Sequence, residues 1–298
     1  MIHIKKHWNS QKLAPYLFVM PFIIVFLLFF LYPILSTINM SLQEIYGFDD
    51  VEYIGLDNYK RLINPHYFGA LKTSTSYTFW TILVLIPAPL LLAAILNSRT
   101  TPWKNFFKSA LFVPALTSVI VAGIFFRYSF GEQETTLVNS IIGLFGLEPV
   151  VWLQQSSTAM FALVILCTWR WLGVNIVYFL SGLQNIPNEI YEAADIDGAN
   201  VVNKFFRITV PCLKPVILYV LIISVYGGFA MFAESYAYWQ TQTPGGIGMT
   251  IVSYIYQTAF NYFQMGYASA VGLTLLIIVM LVNVIHLAFF GTFRKESD

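Results

Sequence analysis

Charge is scarce in this chain: only 10% of its 298 residues are Asp, Glu, Lys or Arg, against about 25% in an ordinary soluble domain. So few charges cannot cover a water-exposed surface, which excludes a soluble globular fold. Those present nearly cancel, with a formal net charge of +1, which leaves no basic field for nucleic acid. Cysteine is nearly missing too. Cys167 and Cys212 both lie in or beside apolar segments, so no disulfide framework or thiolate metal site is expected, and both are predicted to be buried as small hydrophobes. Of the four histidines, His3, His7, His66 and His286, only His3 and His7 are closely spaced, and no cysteine or carboxylate lies near them to complete a metal site. There is no G-x-x-x-x-G-K-[ST] loop, no G-x-S-x-G elbow and no H-E-x-x-H helix. The chain is therefore expected to bind no cofactor or metal itself and to be non-catalytic.

What is abundant is apolar sequence, 57% hydrophobic and 17% aromatic. A helix crossing ~30 Å of hydrocarbon needs about 20 mostly apolar residues. Six segments meet that length: 13–38, 73–96, 106–126, 158–180, 213–232 and 267–290. Their length and lack of polar alternation predict helices, which satisfy their own backbone hydrogen bonds in lipid. The predicted fold is an all-α polytopic membrane protein forming one transmembrane domain over 1–298. The first segment is too long for a signal-peptide core and runs on into "YPILSTINMSLQ", so it is read as a retained helix. No low-complexity tract or convincing internal repeat is visible.

Lys and Arg are distributed unevenly between the connections. Eleven fall on one side: Lys5, Lys6 and Lys12; Arg99, Lys104 and Lys108; Lys204, Arg207 and Lys214; Arg294 and Lys295. Four fall on the other: Lys60, Arg61, Lys72 and Arg127. The positive-inside rule places the first set, and hence both termini, in the cytoplasm. The connections 39–72, 127–157 and 233–266 then face outward.

The connection between the fourth and fifth segments, 183–211, contains "NEIYEAADIDGANVVNKFFRITVP". Pro187 suits a first helical turn, and Glu189 and Glu192 follow where the helix dipole favours anions. Ile190, Ala193 and Ala194 share a face, and Gly198 ends this first piece as a C-terminal glycine does. A second helical piece carries Val202, Phe205, Phe206 and Thr209 on one side and closes at Pro211. A helix–turn–helix on the cytoplasmic face follows. It either rests on lipid as an amphipathic loop or docks into a basic protein groove, and its acids favour the groove.

"EAADIDGANVVNKFFRITVP" resembles the E-A-A-x3-G-x9-I-x-L-P signature of membrane subunits of ABC importers fed by substrate-binding proteins. Glu192, Ala193, Ala194, Gly198, Ile208 and Pro211 match it, and Val210 stands for the usual leucine. "APYLFVMPFIIVFLLFFLYPILSTINMSL", "YIGLDNYKRLI" and "TWRWLGVNIVYFLSGLQNIPNEIYEAADIDGA" are similar to the carbohydrate-uptake branch, which serves oligosaccharides, polyols and glycerol phosphate. The resemblance implies a permease subunit in the cell (cytoplasmic) membrane that works by alternating access. Its partners would be a second, homologous permease subunit, two ATPase subunits holding ATP and Mg, and an extracytoplasmic sugar-binding protein. The first helix of the 183–211 loop would be the coupling helix seated on an ATPase.

Arg170 is the one basic residue deep in a segment. It either holds the bundle together by pairing with carbonyls or an acid, or contacts a substrate; the resemblance favours the structural role. In "YGGFAMFAES", Gly227 and Gly228 permit close helix approach. Tyr226, Phe229, Met231 and Glu234, with Asn175 and Tyr178 of the fourth segment, are candidates to line a sugar path, with ordinary bundle packing as the competing account. A self-sufficient secondary transporter is the alternative function. It predicts intramembrane acids and internal repeats, which these segments lack. An intramembrane enzyme is disfavoured by the missing motifs.

Overall fold

The computed structural model describes residues 10–46, 50–98, 101–240 and 244–290. His3, His7, Lys5, Lys6, Arg99, Arg294 and Lys295, used above, lie outside the described residues. The fold is helical. Five helices are long and apolar enough to cross a membrane: Ala14–Ser41, Pro65–Asn97, Ser156–Gln184, Lys214–Trp239 and Met265–Phe289. A sixth crossing is available only from a bent pair, Lys104–Leu116 with Val119–Ser129, at 96°.

The chain divides into two compact units, Met1–Leu62 with Thr258–Leu273, and Ile63–Gln257 with Thr274–Asp298. In the first unit, α1 (Ser10–Phe26) passes through a π-turn, Leu27–Leu31, into α2 (Tyr32–Ser41). Between residues 14 and 40 no side chain of this rod is buried. Strands β1 (Gln43–Tyr46) and β2 (Asp50–Tyr53) pair antiparallel, and α3 (Asp57–Lys60) follows. Buried Asn58 ties these pieces together, its Nδ2 donating to the Ser41 carbonyl at 3.0 Å and the Gln43 carbonyl at 2.8 Å. This hairpin is the one departure from all-α structure among the described residues.

The second unit contains α4 (Pro65–Leu85), α5 (Pro87–Asn97), α6 (Lys104–Phe112), α7 (Val119–Ser129), α8 (Leu137–Gly143) and α9 (Ser156–Gln184). It continues with α10 (Asn188–Ile196), α11 (Val201–Lys204), α12 (Val210–Cys212), α13 (Lys214–Phe229), α14 (Ala233–Trp239) and α15 (Ile251–Tyr256). The last helix, α16 (Met265–Phe289), begins in the first unit and ends in the second. The second predicted segment starts earlier than its hydropathy suggests. Asn64 caps α4 by accepting the Tyr67 N–H at 2.9 Å, and Pro65 fills the first helical position, where its missing donor is harmless.

The predicted uniform span 106–126 is not observed. Pro114 sits in a 3-10 turn, Val113–Leu116, and Thr117 is extended, so the helix stops and restarts at Val119 in a new direction. A prolyl nitrogen removes a ladder donor and its ring crowds the preceding turn. At 11 residues, α7 alone reaches only about 16 Å.

Two cores meet along α9. Ala159, Ala162, Leu163, Leu166 and Cys167 repeat at helical spacing and pack with Tyr77 of α4, Ala122 of α7 and Tyr238 of α14. One turn and more further on, Ile176, Phe179, Leu180 and Leu183 continue the stripe against Leu90 and Ala93 of α5 and Val220 of α13. Small residues let these backbones close up, since in lipid the association rests on van der Waals fit. Gly228 shows the constraint: a Cβ there would lie 2.4 Å from Thr78 Oγ1. Gly227 has no such neighbour within 4 Å. Cys167 is buried as predicted, whereas Cys212 is exposed; α12 turns Leu213, not Cys212, into the core.

Candidate functional site

At the C-terminal end of α9 the chain leaves the bundle and folds back as two arms. The first arm, α10, ends in a complete Schellman turn. The Ala199 N–H donates to the Ala194 carbonyl at 2.9 Å and the Gly198 N–H to the Asp195 carbonyl at 3.1 Å. Gly198 has φ +73°, which glycine adopts without the Cβ clash of other residues. Pro187 sits at the N-cap, one position before the first turn predicted for it.

The second arm runs as α11, a π-turn Phe205–Thr209 and α12. Ile208 lies in the π-turn, and Pro211 lies in α12, the last piece of the arm. The two arms are joined by side chains that the sequence does not flag as a pair. The Tyr191 and Thr209 hydroxyls are 2.9 Å apart, and Lys204 Nζ lies 2.6 Å from Asp195 Oδ1. These contacts fix which way α10 faces. Tyr191 and Ala194, at i and i+3, face inward, while Asp195 reaches Lys204 from an exposed position. The predicted Ile190–Ala193–Ala194 face is thereby split: Ala194 is buried, while Ile190, Glu192 and Ala193 are exposed. Ile196 is 88% exposed at the tip. The result is a two-armed projection, its arms joined by these contacts, with an outer face of apolar and acidic residues.

Within the bundle, Arg170 of α9 pairs with Glu234 of α14, Nη1 to Oε1 at 3.2 Å, each side chain only 12% exposed. The guanidinium also lies 5.5 Å from the centre of the Trp171 ring. Arg170 Nε and Thr168 Oγ1 are buried without a hydrogen-bond partner. The pairing is possible because the fifth span is interrupted. α13 ends at Phe229, and α14 restarts at Ala233 after a short break, which turns Glu234 into the protein.

Asn175 acts on the backbone of a neighbouring helix. Pro89 has no N–H to offer the Leu85 carbonyl four residues earlier. Asn175 Nδ2 supplies that donor at 2.8 Å. Tyr178 makes an edge contact with Tyr219, ring centres 5.2 Å apart. Phe229 and Met231 are buried in packing, and Tyr226 is 65% exposed on the surface. Among the described residues, Glu234 thus belongs to an ion pair and Asn175 to a helix break.

One further observation fixes the family. Residues 85–295 match the model of the binding-protein-dependent transport system inner membrane component, a stretch that contains both arms, α9 and the ion pair. The chain belongs to that family.

Relatives with assigned roles cover the permease nearly end to end. It is 55% identical over 288 residues to the arabinooligosaccharides transport system permease protein AraP of Bacillus subtilis (strain 168), covering 97% of this chain and 92% of that one. It is 34% identical over 288 residues to the lactose transport system permease protein LacF of Rhizobium radiobacter, covering 95% and 94%. Among solved structures, a chain of a bacterial ABC transporter involved in the import of the acidic polysaccharide alginate superposes with TM-score 0.84 at 22% identity, covering 96% of this chain and 98% of that one. A second, of the alginate transporter in complex with an alginate pentasaccharide-bound periplasmic protein, superposes with TM-score 0.85 at 21% identity. At that identity the likeness carries the fold. The family and these relatives make the permease a membrane transport subunit of the ABC importer class, and the secondary-transporter alternative is not favoured.

Proposed function

We propose that this permease translocates a sugar, an oligosaccharide or a related polyol or glycerol-phosphate-like solute, delivered by an extracytoplasmic binding protein. The observation that carries the coupling part of this reading is the exposed outer face of α10 on a braced, glycine-turned projection. Glu192, Ala193 and Ile196 stand free of the chain's own packing, while the Tyr191–Thr209 and Asp195–Lys204 links tie α10 to the arm that leads into α13. A push on α10 is passed to the fifth span chiefly through the part-buried Tyr191–Thr209 contact. The partner that supplies it is a separate ATPase chain. Glu192 meets a basic side chain or backbone amides of its groove, and ATP with Mg stays on the two ATPase subunits. A second, related permease completes the path, and the whole chain works as one transmembrane domain. The arms and both termini face the cytoplasm of a multi-pass inner-membrane protein. The 55% identity to an arabinooligosaccharide permease supports an oligosaccharide cargo.

Glu192→Lys and Gly198→Val test the joint. Both variants are expected to insert at wild-type levels and to lose capture of the ATPase from detergent extracts. Gly198→Val also strains a left-handed backbone position by about 1–2 kcal/mol. Undiminished capture by both would overturn the coupling role. Sugar uptake by the chain reconstituted alone, driven by an ion gradient, would overturn the importer reading itself.

A further inference from the structure

The first helix of the bent pair, α6, has two distinct stripes. Trp103, Phe106, Phe107 and Ala110, at i, i+3, i+4 and i+7, share one face. All four are exposed, Trp103 by 78% and Phe106 by 63%. The apolar surface runs on past the helix in exposed Val113 and Leu116. Beside it lies a second stripe of half-buried residues, Lys104, Lys108 and Leu111, at i, i+4 and i+7. Leu111 closes that stripe against the core. Its carbonyl leaves no room for a Cβ at Gly173 of α9, and it packs against the cluster of Ile176, Phe179 and Leu180. This is the half of α9 that leads into the two arms, so α6 lies on the arms' side of the bundle.

The two lysines differ from other basic residues of the chain. Lys60, Arg61, Arg170 and Lys204 each pair with a carboxylate. Among the described residues Lys104 and Lys108 have no such partner, and α6 carries no acid in its first turn. The dipole of their own helix does not favour a cation there. Four residues apart, they are separated by about 6 Å along the axis, so both ammonium groups serve one anionic group.

Trp103 adds an anchor. It precedes α6 with φ +55°, a left-handed position that residues with a Cβ seldom adopt, and its ring is turned out of the protein. Rings on the outer face, with lysine stems half-buried beside them, are the pattern of a helix at the boundary between lipid and water. The anionic lipid of the cytoplasmic leaflet supplies the missing counter-charge, and the indole suits the headgroup level.

We propose that α6 holds an anionic phospholipid at the cytoplasmic membrane surface, with Lys104 and Lys108 on its phosphate and Trp103, Phe106 and Phe107 against its chains. The lipid pins the inner end of the bent crossing, where α6 has no ion pair of its own among the described residues. The inference rests on the cytoplasmic placement of the arms and is independent of the cargo.

The test is native mass spectrometry of the full chain in detergent, titrated with dioleoyl phosphatidylglycerol and, separately, with dioleoyl phosphatidylcholine. Wild type is expected to prefer the anionic lipid about 25-fold, roughly fivefold for each lysine. Lys104→Gln with Lys108→Gln is expected to bring the two lipids close to parity, and Lys104→Arg with Lys108→Arg to keep the preference. Lys72→Gln, at an exposed lysine of the opposite side, is expected to leave it unchanged. Millimolar inorganic phosphate is expected not to displace the lipid, because the rings hold its chains. No preference in wild type, an unchanged preference in the double glutamine variant, an equal fall in Lys72→Gln or displacement by phosphate each overturns the lipid site. Capture of the ATPase is followed in the same preparations. Capture lost with the preference intact assigns the lysines to that partner and overturns the site; preference lost with capture intact supports it and leaves the coupling role untouched.

Discussion

Glu234→Leu removes one half of the buried ion pair and leaves Arg170 charged inside the bundle. Two features set the magnitude. Both side chains are 12% exposed, at 3.2 Å, so water screens the pair weakly, and Arg170 Nε already lacks a partner. Breaking a buried pair from one side costs about 3–5 kcal/mol, consistent with the roughly 2.5–3.5 kcal/mol for a lone arginine at mid-helix. Replacing both partners by apolar groups of similar volume is often close to neutral, because the desolvation penalty goes with the charges. The expectation is therefore asymmetric. Glu234→Leu and Arg170→Met each lower the apparent melting temperature of the detergent-purified chain by about 10 °C, taking roughly 2–4 °C per kcal/mol. The double variant recovers most of that loss. The assay is a thermal melt of the three variants beside wild type at one scan rate. A double variant that melts as low as the singles would refute the reasoning, because the penalty would then come from lost packing rather than from a stranded charge.

Asn175→Leu is expected to cost about 1–3 kcal/mol, the price of an unsatisfied buried carbonyl, since Leu85 then has no donor in place of the one Pro89 lacks. A melt that moves by several degrees without loss of insertion checks this. Asp195→Ala is expected to change stability by less than about 0.5 kcal/mol despite its 2.6 Å contact, because Asp195 is 59% exposed and such pairs are worth little in water; a large destabilisation in the same melt would contradict it.

The spans were legible because hydrocarbon imposes both a length and a composition, and these can be counted. The bend between α6 and α7 was not, because hydropathy carries no direction and Pro114 lies inside an unbroken apolar run. The helix–glycine–helix loop was legible from Gly198 and the acids before it. Its clasp was not: Tyr191 and Thr209 are 18 positions apart, and nothing local links a tyrosine to a threonine. Arg170 announced itself as a charge among apolar residues, and Glu234 as an acid at a helix edge. Their meeting, across 64 positions, needed the break after Phe229. Asn175 was legible only as a polar residue in a span, and the position of Pro89 on another helix is what shows which backbone carbonyl it serves.

Each of the three π-turns among the described residues, at Leu27–Leu31, Phe205–Thr209 and Gln257–Asn261, holds one residue more than an α-helical turn has room for. In the second arm that surplus sets the azimuth of everything after it: excising a single residue from Phe205–Thr209 lets the ordinary ladder re-form and rotates Val210 onward by roughly 100°. An alignment would score such a deletion as a trivial gap, yet it would swing Leu213 out of its seat between the helices. Length in this arm is thus as tightly specified as identity.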